Sequence, residues 1–422
     1  MKLQYFLESL GKRVGLDLTY FLKSGFWVSV RYGLIAFLGV VLSVGFTRLG
    51  TKELFGQYQS VLALLSLLSV FSLPGLSMAA FKCAVAGDDS AVLKAVRYSF
   101  YTSLLALPFI VSYAAYAFWW QEEVQYAEAL ILGALFFPFL YATNKWYVVY
   151  EAHSIFAAVT WRMLLLTVVT TFGVLATLFF HGGLLAALLV FFLTTAFFHG
   201  FFSLEVKKKL KQKEEKHSLN IRYGVFVSLQ KFAFSLSENV PTLVISFLFG
   251  FELLALFQVA FLTVNAVAGF LNGLGATYLP LLFRYQKLAH GRIFLQNIVL
   301  GVLLFIVFRI FLELLFIPLY GEAYQESFSI ARMLSWLVIL FPLKSFLINY
   351  FTVNDKNLLI VGVSVLANGA SLGVLFLFKQ ETFSMATTMY MACLQVFFIV
   401  PLLWHIFFHL TKEEKIGLNK GF

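Results

Sequence analysis

The chain has 422 residues, 61% hydrophobic and 12% charged, with a net charge of +10 and a mean hydropathy of +0.87. A water-soluble domain carries about a quarter charged residues, so this composition excludes a soluble enzyme and makes lipid the solvent for most of the surface. Fifty-one Phe and 28 Gly fit that setting, because Phe covers lipid-facing surface and Gly lets helices approach closely.

The first residues mix Lys, Glu, Asp and Arg with Leu, Phe and Tyr, which reads as an interfacial amphipathic helix and not as a cleavable signal peptide. Apolar runs follow at roughly 25–46, 57–79, 99–119, 127–149, 157–180 and 183–204, each long enough to cross a ~30 Å hydrocarbon core as a helix. A second set lies at roughly 223–249, 253–279, 294–317, 328–351, 357–378 and 383–409. The runs are continuous instead of alternating, so helices are expected, and in lipid a helix satisfies its own backbone.

The second set repeats the first with a shift of 199 residues (27 to 226). Trp27-Val28-Ser29-Val30 returns as Phe226-Val227-Ser228-Leu229, and Glu53-Leu54 with Gln59 returns as Glu252-Leu253 with Gln258. Six spans followed by six in the same order is the mark of a duplicated transporter. The expected fold is an all-α membrane protein of twelve transmembrane helices in two parallel six-helix lobes. Residues 1–205 form the first lobe, 206–222 a basic linker and 223–422 the second lobe.

Charge placement sets the orientation. Lys2, Lys12, Arg13 and Lys23, then Lys82, Lys94 and Arg97, then the run from Lys207 to Arg222, then Arg284, Lys287 and Arg292, then Lys344 and Lys356, and finally Lys412, Lys415 and Lys420 fall on one side. The turns on the other side are short and poor in base, as at Gln121-Glu122-Glu123 and His181-Gly182-Gly183. The positive-inside rule puts both termini in the cytoplasm, and this distribution argues against nucleic acid as the partner. The linker Lys207-Lys208-Lys209-Leu210-Lys211-Gln212-Lys213-Glu214-Glu215-Lys216 reads as a solvated connector touching anionic membrane lipids. Cys83 and Cys393 indicate neither a disulfide nor a metal site.

Thr47-Arg48-Leu49-Gly50-Thr51-Lys52-Glu53-Leu54-Phe55-Gly56-Gln57-Tyr58 resembles the first hairpin of polysaccharide flippases. These are the O-antigen and lipid-linked oligosaccharide carriers of the multidrug/oligosaccharidyl-lipid/polysaccharide exporter superfamily. Leu73-Pro74-Gly75-Leu76 with Ala79-Ala80 resembles the close of that family's second span. The second-half counterpart, Phe249-Gly250-Phe251-Glu252-Leu253-Leu254-Ala255-Leu256-Phe257, lacks the second glycine and the tyrosine. The resemblance implies a V-shaped pair of lobes around a central cavity. It also implies a cargo of undecaprenyl-diphosphate-linked oligosaccharide, moved across the inner membrane, with other glycan-assembly proteins as candidate partners.

An ionisable residue inside a span costs roughly 2.5–3.5 kcal/mol to insert and is a functional candidate. Arg31 and Lys231 occupy near-equivalent places, since 31 plus 199 is 230, and together they would make a cationic centre suited to a diphosphate. Snorkelling of both to the interface is the structural alternative. Lys145, Arg162, Arg309 and Arg332 are further cavity cations by the same reasoning, with Arg309–Glu313 also readable as a self-neutralising i, i+4 pair. Glu238 and Asn239, just before Pro241, are the candidates for proton or sodium coupling; no other cofactor is expected. Asn265, Asn272, Asn349, Asn368 and Gln395 are intramembrane amides, suited to interhelical hydrogen bonds or sugar contacts. His405 and His409 read as an interfacial pair and not a metal site. No phosphate-cradling glycine loop and no exposed pair of catalytic acids occurs. The alternatives to a flippase are a drug exporter of the same fold, a membrane glycan polymerase or ligase, and a non-transporting scaffold. Mostly cationic candidates disfavour export of cationic drugs.

Overall fold

The computed structural model describes residues 18–210, 219–284, 290–353, 356–378 and 382–418, with the side chains of 18–25, 210, 270–284, 290–294, 352–353, 357 and 407–418 outside the described set. Helix follows helix throughout: α1 Leu18–Leu49, α2 Lys52–Leu68, α3 Leu76–Val85, α4 Ser90–Ser103, α5 Leu107–Trp120, α6 Val124–Tyr141, α7 Tyr147–Ala152 and α8 Phe156–Phe179. They continue as α9 Leu184–Leu210, α10 Ile221–Phe249, α11 Phe251–Arg284, α12 His290–Tyr320, α13 Gln325–Leu334, α14 Phe341–Val353, α15 Asn357–Leu377 and α16 Phe383–Leu418. Twelve stretches among the described residues are long and apolar enough to span a membrane, six before the basic linker and six after it. Residues 211–218 of that linker lie outside the described residues.

Two expected spans end early, each for a local reason. The second stops at Ser72, where a 3₁₀ turn runs into Leu73 in the left-handed region (φ 48°). Pro74 has no N–H to continue the helix and disfavours helical backbone in the residue before it. The chain restarts at Leu76 as α3. The fourth span ends at Tyr141 instead of reaching 149. There Thr143 Oγ1 and Lys145 Nζ donate to the carbonyls of Phe139 and Tyr141, satisfying acceptors that a helix end leaves free. Lys145 therefore sits in a turn before the short helix α7.

The resembling hairpin owes its sequence to close packing. Thr51 caps α2, its Oγ1 accepting from Leu54 N, and Glu53 complements the helix dipole in the first turn. Phe46 packs on Phe55 and Tyr58 with ring centroids 5.0 and 4.6 Å apart. A Cβ on Gly56 would lie 2.0 Å from the carbonyl oxygen of Phe251, so only glycine lets α2 reach the start of α11. The equivalent position in the second half, Ala255, is also fully buried.

The two halves meet along five helices. α1 runs beside α11, and α2 lies against both α10 and α11, with α3 continuing the contact on α10. On the face carrying the short turns, Arg48 of α1 donates from Nε to Leu319 O at 2.8 Å and from Nη2 to Pro318 O, at the carboxyl end of α12. Deeper in, Tyr320 hydroxyl bridges Ser43 (3.1 Å) and Thr263 (2.9 Å), and Ser60 bonds Ser246 (3.3 Å) and Tyr126 (2.8 Å). That face is closed.

Candidate functional site

On the opposite, basic face the two halves cross at glycine. A Cβ on Gly75 would lie 2.2 Å from Gly224 O and 2.4 Å from Ser228 N, and Gly75 N donates to Ser228 Oγ at 2.9 Å. The break after α2 leaves the Pro74 carbonyl without a helical partner, and Lys231 of α10 donates to it at 3.1 Å. Helix α7 crosses this junction and brings Glu151 to α1, where Arg31 Nη1 meets its Oε1 at 2.9 Å. Arg31 also lies 5.2 Å from the Tyr32 ring centroid.

Lys231 lies within electrostatic reach of Glu151, and Lys145 within reach of Lys231. Arg31 thus pairs with Glu151, Lys231 lies within its electrostatic reach and Lys145 lies near Lys231, at a point where α1, α7, α10 and the break between α2 and α3 converge. Lys145 is fully buried. Burial, reinforced by the Lys231 charge, pushes its ammonium down to about 7. The neighbouring Trp146 donates to His199 Nδ1 at 3.1 Å and fixes the turn that holds Lys145. Arg31 and Lys231 together carry more positive charge than Glu151 neutralises.

The remaining predicted cations lie elsewhere. Arg162 grips Glu205 through Nη2 at 2.9 and 3.1 Å and through Nε at 3.3 Å, and its guanidinium stacks 4.5 Å from the Tyr150 centroid. Tyr150 and Lys209 also donate to Glu205, so this is a packing knot in which two cations share one carboxylate. Arg309 pairs with Glu313 at 3.2 Å, and Arg332 Nε reaches the same carboxylate at 3.6 Å. Ile310, Leu314, Met333 and Trp336 around them are exposed, which puts the trio on the outer surface of α12 and α13, away from the junction.

Glu238 and Asn239 separate as well. Asn239 donates to Ser235 O (3.0 Å) and Ser235 Oγ (2.9 Å) on its own helix. Glu238 projects into a cavity of about 440 Å³ among α10, α11, α14 and α16, which Lys344, Asn265 and Gln395 also line. Glu238 and Lys344 interact electrostatically. Lys344, expected at the cytoplasmic basic edge, instead lies inside the span Glu322–Phe351, across the cavity wall from Glu238. Asn368 donates to Ser237 Oγ at 2.8 Å, an interhelical bond between α15 and α10. Lys356 and His405 meet at 3.0 Å, while the side chains of His409 and Asn272 lie outside the described residues.

Glu151 and Glu205 are charged residues that sequence reasoning passed over, and Lys344 is one that it placed at the basic edge. The available signal was a carboxylate or ammonium within a few residues of an apolar run, as Glu151 is between the spans ending at 141 and starting at 156.

No family model and no curated protein matches this sequence. Solved structures do match in fold. The chain has the fold of membrane transporters of the MOP superfamily, with two sets of six spans and no strand among the described residues. Lipid II flippase MurJ in an inward closed conformation superimposes with a TM-score of 0.63 at 13% identity, covering 90% of this chain and 87% of that one. A multidrug resistance MATE family transporter of the MOP superfamily matches in its outward-facing conformation with a TM-score of 0.60 at 15% identity, covering 95% and 97% of the two chains. An inward-facing conformation under the same description gives 0.57 at 16% identity, covering 91% and 92%.

Proposed function

We propose that this protein is a flippase that carries a polyprenyl-diphosphate-linked oligosaccharide across the membrane by alternating access of its two halves. The observation that supports this reading is the cation cluster of Arg31 and Lys231 at Glu151, with Lys145 near Lys231. A diphosphate leaving the headgroup layer loses its hydration, and charge-assisted hydrogen bonds from Arg and Lys replace it. The cluster is built from both halves, so a movement of one half against the other would make and break the anion site. The polyprenyl tail stays in lipid while the head group crosses.

Under this reading residues 1–205 and 223–422 are the two moving lobes, joined by the basic linker 206–222. The basic face is cytoplasmic, both termini lie there, and the membrane is the cytoplasmic one. Arg48 at the carboxyl end of α12 keeps the opposite face shut while the cation cluster waits for cargo. Glu238, paired electrostatically with Lys344, is the group through which an ion gradient would act. Other glycan-assembly proteins would supply and receive the cargo.

The same fold serves drug exporters, and a cationic drug is the competing cargo. A cluster with excess positive charge repels such a drug. Binding measured by native mass spectrometry separates the two: farnesyl diphosphate is expected to bind wild type and to lose about tenfold or more affinity in Arg31→Ala, as removal of a charge-assisted bond predicts. Ethidium binding without farnesyl diphosphate binding would assign the protein to drug export.

A further inference from the structure

We propose that the cavity among α10, α11, α14 and α16 is a sugar subsite, which takes the first sugars of the cargo while the cation cluster takes the diphosphate. This rests on the flippase reading. The cavity holds about 440 Å³, within the roughly 300–1,000 Å³ of small-molecule sites, enough for a short saccharide segment and not for a polymer.

Its lining selects a neutral polyhydroxylated group. Glu238 and Lys344 face the space as an acid and a base, so the cavity offers a polar group an acceptor and a donor together. Glu238 only accepts and Lys344 only donates, whereas a sugar hydroxyl does both. Gln395 is 5% exposed, and its Oε1 is buried with no hydrogen-bond partner among the described residues. An orphaned buried acceptor costs about 1–3 kcal/mol, which a hydroxyl donor would recover. Asn265 adds a second amide, and Phe261 and Phe398 supply apolar walls for the C–H face of a sugar ring. Lys344 Nζ stands 5.2 Å from the Phe398 ring centroid, which holds it in the cavity wall.

The spacing fits one cargo. Lys231 and Glu238 are seven residues apart on α10, two turns along one face and about 10 Å of rise. Lys231 belongs to the cation cluster and Glu238 to the cavity, so one helix presents the diphosphate site and the sugar site in line.

The experiment compares purified full-length protein binding farnesyl diphosphate with a panel of farnesyl diphosphates carrying one N-acetylglucosamine, N-acetylgalactosamine, glucose or galactose. Wild type is expected to bind at least one glycosylated form about tenfold more tightly than the bare diphosphate, the size of one or two hydrogen bonds to charged or buried groups. Gln395→Leu and Glu238→Gln are expected to lose that increment and keep the affinity for the bare diphosphate. Gln395→Leu removes an unsatisfied group and so is not expected to unfold the protein, whereas Glu238→Gln leaves Lys344 unpaired. The proposal is overturned if no sugar adds affinity in wild type, or if Gln395→Leu retains the increment. A sodium-dependent thermal shift abolished by Glu238→Gln, with no sugar increment, would overturn it in favour of a cation site. Failure of wild type to bind any of the diphosphates would instead remove the flippase reading itself.

Discussion

Lys231 Nζ donates to the carbonyl of Pro74 at 3.1 Å, so a cation from the seventh span closes the helix break that ends the second. The bond ties the two halves at the point where Gly75 and Gly224 cross. It also leaves Lys231 poised, because a backbone carbonyl is a weaker partner for an ammonium than a diphosphate oxygen. Replacement by Met is expected to remove the tie and the anion contact together. Lys231→Met should lose about 1–3 kcal/mol of stability and at least tenfold in cargo affinity, and Lys231→Arg should keep part of both. Thermal melting in detergent and ligand titration read the two effects separately.

The glycine crossings make a stability prediction. Gly75→Val and Gly56→Val each drive a side chain into backbone, at 2.2 and 2.0 Å for the Cβ alone. Overpacking of this kind costs about 1–3 kcal/mol or more. Gly39, with no atom within 4 Å of its built Cβ, provides the control: Gly39→Ala should be neutral or stabilising by about 0.5–1 kcal/mol. Melting temperatures of the three variants check this ordering.

Arg48 closes the short-turn face by binding the last carbonyls of α12, where the helix dipole favours a cation. Removing it should populate the state open on that face. In a background with Cys83 and Cys393 replaced by serine, Ser43→Cys sits beside Tyr320 just beneath the latch. Adding Arg48→Ala is expected to raise its labelling by a membrane-impermeant maleimide several-fold, and an unchanged rate would show that other contacts hold that face.

Lys145 makes the site pH-dependent. Its folded value, depressed from 10.5 to about 7 by burial and by Lys231, lies below its unfolded one, so the unfolded chain binds the extra proton between about 7 and 10 and stability rises with pH across that window. Affinity for an anion runs the other way, since the charge is lost as pH rises through about 7. Wild type should therefore lose affinity for farnesyl diphosphate between about pH 6 and 8 more steeply than Lys145→Gln, whose profile keeps only the ligand's own ionisation. Parallel profiles would remove Lys145 from the anion site.

The twelve spans were legible because lipid requires long, continuous apolar helices, and the two early stops have local causes in Pro74 and in the turn around Thr143 and Lys145. The candidate charges were legible too, but their partners were not. Arg31 meets a carboxylate 120 residues away and Arg162 one 43 residues away, and nothing in local sequence encodes such pairings. For that reason Arg162 and Arg332 read as cavity cations alongside Arg31, although Glu205 and Glu313 lie beside them; the Arg309–Glu313 pair, four residues apart, is the exception that spacing reveals. Lys344 was hidden for the converse reason: counted with a basic edge, it lies within a span facing Glu238.

The most direct test of the account is flux in proteoliposomes. Protein reconstituted in unilamellar vesicles is loaded with a glycosylated farnesyl diphosphate labelled on its sugar, and the fraction reaching the opposite leaflet is read by an impermeant sugar-oxidising enzyme. The account predicts protein-dependent translocation that falls at least tenfold in Arg31→Ala and Lys231→Met, as loss of charge-assisted contacts requires, with no export of ethidium. Equal translocation by wild type and both variants, or ethidium export without sugar-lipid translocation, would contradict it.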